Sequence, residues 1–168
     1  STMPIPLLFL YILRQRSRDL YMGVPIATGA VKTMRTNVVG RGLMLKPTVD
    51  AEALKLTAAQ AQQLEKEITR EWALWAESPD CDMARIDNFY ELQQLAFLNW
   101  LASGDTLVLL PTKKRKNQPY DLRVQLVEAD RLSSPNNFDT FDNQIVGGVE
   151  VDKDGEVVAY HFSKHHPL

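Results

Sequence analysis

The hydrophobic period of this chain changes once, at Gly104, and that change limits the possible folds more than any single motif. Before Gly104 apolar residues recur at helical spacing, and after it they alternate with polar ones. Helices followed by strands in separate blocks predict an α+β fold with a mainly antiparallel sheet, and argue against the βαβ alternation of a nucleotide-binding sheet. With 168 residues and 45% apolar content, the chain can bury one sizeable core, or one core plus an extended arm.

The local grammar predicts the helices one by one. Leu7 to Tyr21 reads as the first, and Gly23, Val24 and Pro25 interrupt it before a second from Ile26 to about Val38. Gly40 and Gly42 stop helix formation, and Leu43 to Leu45 suit a short strand or extended arm ahead of Lys46 and Pro47. Residues 1–46 thus form a helical segment with an arm, and residues 47–168 an α+β domain. Thr57 and Gln60 make a capping box, after which Ala61, Leu64, Ile68, Trp72 and Trp75 keep one helical face up to Ser78. Pro79 ends that helix, and Asp80, Cys81 and Asp82 are expected as a solvated polar exit. Asp87 or Asn88 can cap the next helix, which is apolar on all sides through Leu92, Leu95, Phe97, Leu98 and Leu101 and is therefore expected to be largely buried. Trp72, Trp75, Leu95 and Trp100 are the expected core.

Beyond Gly104, Leu107 to Leu110 is a short apolar run. Tyr120, Leu122, Val124 and Leu126 alternate with Asp121, Arg123 and Gln125, which predicts a strand with one buried face, and Lys113 to Pro119 joins the two as a polar hairpin loop. Ile145 to Val151 and Val157 to Phe162 read as a hairpin turning at Asp154 and Gly155. Leu132 to Asn143 is expected to be a long exposed loop.

Charge and motifs narrow the function. A net charge of −2, with 19 basic and 21 acidic residues, excludes a polycationic nucleic-acid binder. No phosphate loop, dinucleotide fingerprint, zinc-hydrolase or serine-hydrolase signature occurs, so no enzyme, cofactor or metal is expected. The lone Cys81 permits no internal disulfide. His161, His165 and His166 lack a spacing that makes them converge on one ion, and read as a solvated strand end. The apolar run Pro4 to Leu13 is too short to span a bilayer, and its basic residues follow it instead of preceding it, so it reads as a packing segment. Two basic clusters remain, Arg14, Arg16 and Arg18 on the first helix, and Lys113, Lys114, Arg115 and Lys116 in the hairpin loop. Repeated around an axis, they would make a band that holds phosphate backbone without reading sequence; otherwise they are a solvated helix face and loop.

The segments SRDL, NVVGRGLMLKP, EWALWAESPDCD, FYELQQLAFLNWLASGDTLVLL, LVEADRLSSP and GGVEVDKDGEVVAYHF, in this order and spacing, resemble the lambda-type portal proteins of tailed bacteriophages. The resemblance covers nearly the whole chain. It departs at Asp105, where the family usually has glutamate, and at the ending KHHPL. It implies the amino-terminal, wing-building part of a subunit, with stem, clip and channel helices to follow. It implies a dodecameric ring at one capsid vertex of the virion, assembled in the host cytoplasm. Partners would be the terminase large subunit, scaffolding, capsid and head-tail connector proteins, with double-stranded DNA passing nonspecifically through the channel and no membrane. No catalytic residue is implied. A nonstandard enzyme site would instead need a cleft with desolvated titratable groups, and a peripheral interaction module would use Pro4 to Leu13 for docking.

Overall fold

The first helix, α1, runs Ile5–Gly23, and Val24 alone separates it from α2, Pro25–Val38. The computed structural model describes the backbone of residues 5–135 and 143–164 and the side chains from Phe9 onward. Two further long helices follow, α3 at Ala58–Ala76 and α4 at Phe89–Ser103. Among the described residues five strands come after them: β1 Leu107–Leu109, β2 Gln125–Val127, β3 Gln144–Val146, β4 Val149–Val151 and β5 Val157–Tyr160. This is the α+β order expected from the change of period. The chain packs as two compact units, each made of separate stretches. One comprises Ser1–Thr33, Leu98–Leu107 and Val127–Leu168, and the other Met34–Phe97 and Val108–Leu126. The boundary read at residues 46 and 47 falls inside the second unit.

In that second unit, α3 begins as its capping box requires. The Gln60 N–H donates to Thr57 Oγ1 at 3.3 Å, and the Thr57 N–H donates back to Gln60 Oε1 at 2.8 Å. Its apolar face ends on Trp72 and Trp75, whose rings meet each other and Phe89 at centroid separations of 5.1–5.2 Å. Trp75, Ala76, Cys81, Leu92 and Val124 form the buried core, and Trp72, Tyr90, Tyr120 and Leu126 pack around it. Asn88 starts α4, its side chain accepting from the N–H groups of Tyr90 and Glu91 at 3.0 Å each.

Helix α4 departs from expectation. Only Leu92 is buried; Leu95 is 38% and Trp100 52% exposed, so neither is core. An all-round apolar helix can be buried on every side, but these elements cover only part of its circumference. The stretch Leu43 to Leu45 is an arm and not a strand. Gln93 holds it, accepting from Leu43 N–H at 2.6 Å and donating to Leu43 C=O at 3.3 Å. Gly42 makes that approach possible, since a Cβ there would lie 2.6 Å from Tyr90 Cβ.

Residues 120–126 also differ from a half-exposed strand. Asp82 bridges to Val124 on one side, and Thr112 bridges to Leu122 on the other. Neighbours on both sides bury consecutive residues, which is why Arg123 is 1% exposed although the alternation put it on the polar face.

In the first unit, β3, β4 and β5 form an antiparallel sheet in that order. The single strand expected over Ile145 to Val151 is two strands, because Gly147 and Gly148 both have positive φ (60° and 83°) and turn the chain between the paired Val146 and Val149. The Asp154 and Gly155 turn is as expected, with Val151 paired to Val157 and Asp152 Oδ1 accepting from Asp154 and Glu156 N–H. Strands β1 and β2 pair as a separate sheet. Of the expected loop Leu132 to Asn143, residues 136–142 lie outside the described residues, as do His165 and His166.

Candidate functional site

The turn after Pro79 gathers hydrogen bonds with Ser78, Arg115 and Gln118 and an ion pair with Arg85. Its geometry follows from local sequence. Pro79 forbids another turn of α3, Ser78 Oγ accepts from Asp80 N–H at 3.2 Å, and the chain makes one tight turn over Pro79–Cys81. Asp80, Cys81 and Asp82 then end up inside the protein, contrary to the solvated exit expected. Asp82 turns its carboxylate onto the backbone that follows, accepting from Ala84 and Ile86 N–H at 3.0 Å and from Asp87 at 3.3 Å.

Arg115 closes this turn from the other side. Its Nη1 donates to the carbonyls of Asp80 (2.9 Å) and Asp82 (3.1 Å) and to Asp80 Oδ1 (3.3 Å), and its Nη2 donates to Met83 C=O at 2.9 Å. Arg85 Nε meets Asp80 Oδ1 at 2.8 Å, and Gln118 donates to the other oxygen. One member of the basic cluster therefore faces inward as a structural clasp, leaving Lys113, Lys114 and Lys116 exposed. Burial, with Asp82 beside it, pushes the Cys81 thiol up to about 11, so Cys81 is an inert core group. Burial likewise raises Asp87, with Glu91 and Asp82 adding to it. A cleft of about 300 Å³ opens beside these residues, lined by Met83, Ala84, Ile86, Leu92, Leu95 and Leu126 as well as Asp82 and Asp87. Of the acidic groups that line it, Asp82 is engaged by the backbone N–H groups of Ala84, Ile86 and Asp87.

Nearby, Trp75 Nε1 donates to Leu122 C=O at 3.0 Å, and Tyr120 OH donates to Glu71. That bond, and a second from Arg70, hold Glu71 below the ordinary carboxylate range. Arg123 donates Nη1 to Leu122 C=O at 2.9 Å, and its Nε and Nη2 meet no acceptor among the described residues.

The first unit brings together residues that lie far apart in sequence. Arg14 donates Nε to Ser103 C=O at 2.8 Å, capping the C-terminal end of α4, where a cation opposes the helix dipole. Its Nη2 meets Asp105 at 2.5 Å, and its Nη1 lies 3.8 Å from Asp130. Arg18 pairs with the same buried Asp130. The SRDL, SGDT and VEADRL segments thus converge on one charge cluster. Two arginines of the helix cluster are consumed by it, and Arg16 alone is exposed. His161, expected to be solvated, pairs at 2.7 Å with Glu150. Bonds from Asn143 and then His161 hold Glu150 low. Among the described residues no group of three His, Cys, Asp or Glu side chains is placed to hold a metal, and no helix is long and apolar enough to cross a membrane.

Sequence reasoning missed the acceptors Asp80, Asp105 and Asp130. Arg18 and Asp130 are 112 positions apart, a pairing no local pattern can announce.

The convergence of these segments agrees with a comparison at the level of families. The model of the lambda-family phage portal proteins matches residues 9–168. The chain belongs to that family. It is also 25% identical over 159 residues to a probable portal protein of Halomonas phage phiHAP-1, an alignment that covers 92% of this chain and 29% of that relative. The chain therefore spans less than a third of that portal protein's length.

Proposed function

We propose that this chain is the wing-containing, amino-terminal part of a portal subunit, without turnover of its own. The observation that carries this is the family match over residues 9–168. In the assembled particle the subunit forms a ring at one capsid vertex through which DNA is packaged and ejected. Terminase, scaffolding, capsid and head-tail connector proteins dock on it. The internal use of Arg14, Arg18 and Arg115 favours a structural role for most of the two basic clusters. DNA contact in this part falls to Arg16, Lys113, Lys114 and Lys116, through salt-sensitive attraction to phosphates. Electron microscopy of the full-length protein tests the assignment: rings with an axial channel are expected. Saturable ATP or phosphodiester hydrolysis by the purified protein, abolished by a point mutation in this chain, would overturn it.

A further inference from the structure

Residues 41–46 read RGLMLK, three apolar residues bracketed by two cations with no carboxylate among them. Leu43 is 69% and Met44 66% exposed. Arg41 and Lys46 are exposed too and make no ion pair among the described residues. The arm is nevertheless fixed. Gln93 binds Leu43 N–H and C=O, and Gln94 donates to Gly40 C=O at 2.9 Å. Adjacent apolar side chains held open on a pinned backbone mark an interaction surface.

The cleft beside the Pro79 turn lies in the same unit as the arm. Met83, Ile86, Leu92, Leu95 and Leu126 give it an apolar wall, and Ile86 is 75% exposed. Asp87 also lines it, and its carboxylate accepts no hydrogen bond among the described residues. Glu91, four residues on, is exposed and accepts only from Asn88 N–H, at 2.8 Å. Asp82 is already taken up by backbone N–H groups, and Arg85, the one cation of residues 82–91, is paired with Asp80. What the cleft offers outward is thus apolar and negative, the complement of the arm.

Helix α4 carries the two features on different sides. At about 100° per residue, the mean direction of Gln93 and Gln94, which pin the arm, lies about 180° from that of Leu92 and Leu95, which wall the cleft. The arm of one copy therefore faces away from its own cleft. A two-fold pair would have to seat each arm in the other copy's cleft at once, which opposite faces of one helix forbid. The contact runs head to tail instead, as in a closed ring. Opposite charge around apolar anchors fits arm to cleft and opposes arm on arm or cleft on cleft.

We infer that Leu43 and Met44 of one copy seat in the Met83, Ile86, Leu95 and Leu126 cleft of the next, with Arg41 and Lys46 set against Asp87 and Glu91. This rests on the portal reading and names the occupant as a second copy of the same chain. Residues 41–46 reach about 20 Å when extended, so the contact is one part of the roughly 800 Å² per partner that a stable interface buries.

The test uses full-length protein. M44C and I86C variants are co-expressed so that rings are mixed, and then oxidised. Cys81 stays out of the exchange because it is buried and its thiol titrates at about 11. A disulfide joining position 44 of one copy to position 86 of another, found by peptide mapping in the mixture and absent from either variant alone, is expected. In parallel, R41E/K46E is expected to raise the concentration for half-assembly at least tenfold. D87K alone should raise it too, yet lower it when added to R41E/K46E. Unchanged circular dichroism of these variants shows that folding is retained. Rings that form without the 44-to-86 disulfide, or that link 44 to 44, would overturn this docking and leave the portal reading standing. The same holds if D87K worsens R41E/K46E as much as it worsens the wild type. R41E/K46E rings that assemble at the wild-type concentration but no longer retain DNA would also overturn it, placing the arm on nucleic acid. A wild-type protein that stays monomeric would overturn both readings.

Discussion

The two units solve the same problem by different means. The Met34–Phe97 and Val108–Leu126 unit is built on interlocked rings, with Trp72, Trp75 and Phe89 in mutual contact and Cys81, Leu92 and Val124 buried against them. Its charged turn is clasped by Arg115. In the other unit the described buried side chains are few, Val127, Ala129 and Asp130, and order comes from Arg14, Arg18 and a short-stranded sheet, while α1 and α2 leave Phe9, Leu13, Met22 and Ile26 exposed. Aromatic packing closes the Met34–Phe97 and Val108–Leu126 unit on itself. A unit held by ion pairs and hairpins leaves apolar surface uncovered.

The largest expected effect tests that contrast directly. Trp75→Ala removes a buried indole and its bond to Leu122 C=O and should cost about 3–5 kcal/mol in denaturant unfolding, whereas Trp100→Ala should cost under about 1 kcal/mol. Equal losses would show that α4 is as buried as its composition suggests.

Arg115→Ala comes next. It strips four hydrogen bonds from a buried carboxylate and three carbonyls and should cost about 3 kcal/mol. Alanine at Lys113, Lys114 or Lys116 should stay within about 0.5 kcal/mol. Similar values at all four positions would return Arg115 to the solvated loop.

In the hairpin unit, Gly148→Ala should destabilise by about 1–3 kcal/mol, because it combines φ of 83° with a Cβ only 2.6 Å from Ser133 N. Gly155→Ala, with open space around its Cβ, should cost about 1 kcal/mol. Thermal melts of the two variants rank them, and the reverse order would show that strand β5 is not closed by the Leu132 to Ser134 segment.

The smallest effect concerns pH. Glu150 titrates below the ordinary glutamate value of 4.5 because Asn143 and His161 bond to its charged form. Between the two pKa values the unfolded chain binds more protons than the folded one, so this contribution is full above pH 4.5 and fades as pH falls through the lowered value. The protection factors of the β4 and β5 amides, which refer each exchange rate to its intrinsic value at the same pH, should fall on acidification, and Glu150→Gln should flatten that dependence. Glu71, held low by Tyr120 and then Arg70, has the same sign in the other unit. Exchange that is unaffected by Glu150→Gln would remove the pair from the account of the hairpin.

What could be read in the residues was whatever depends on near neighbours. Thr57 with Gln60, Pro79, Asn88, and Asp154 with Gly155 act over one to five residues, and each does what its chemistry dictates. Gly147 and Gly148 carried the same kind of turn signal, but the apolar residues on both sides masked it as one continuous strand. The family, too, was legible, because it resides in ordered segments that survive 25% identity. Burial was not legible. Arg115 and Lys114 are adjacent basic residues, yet only one of them reaches the carbonyls of Asp80, Asp82 and Met83. Arg14 and Arg18 look solvent-facing until Asp105 and Asp130 are brought beside them from about a hundred residues away. Sequence determines backbone geometry through short-range sterics and hydrogen bonding; whether a charge meets solvent or an acceptor depends on distant segments that only the tertiary fold brings together.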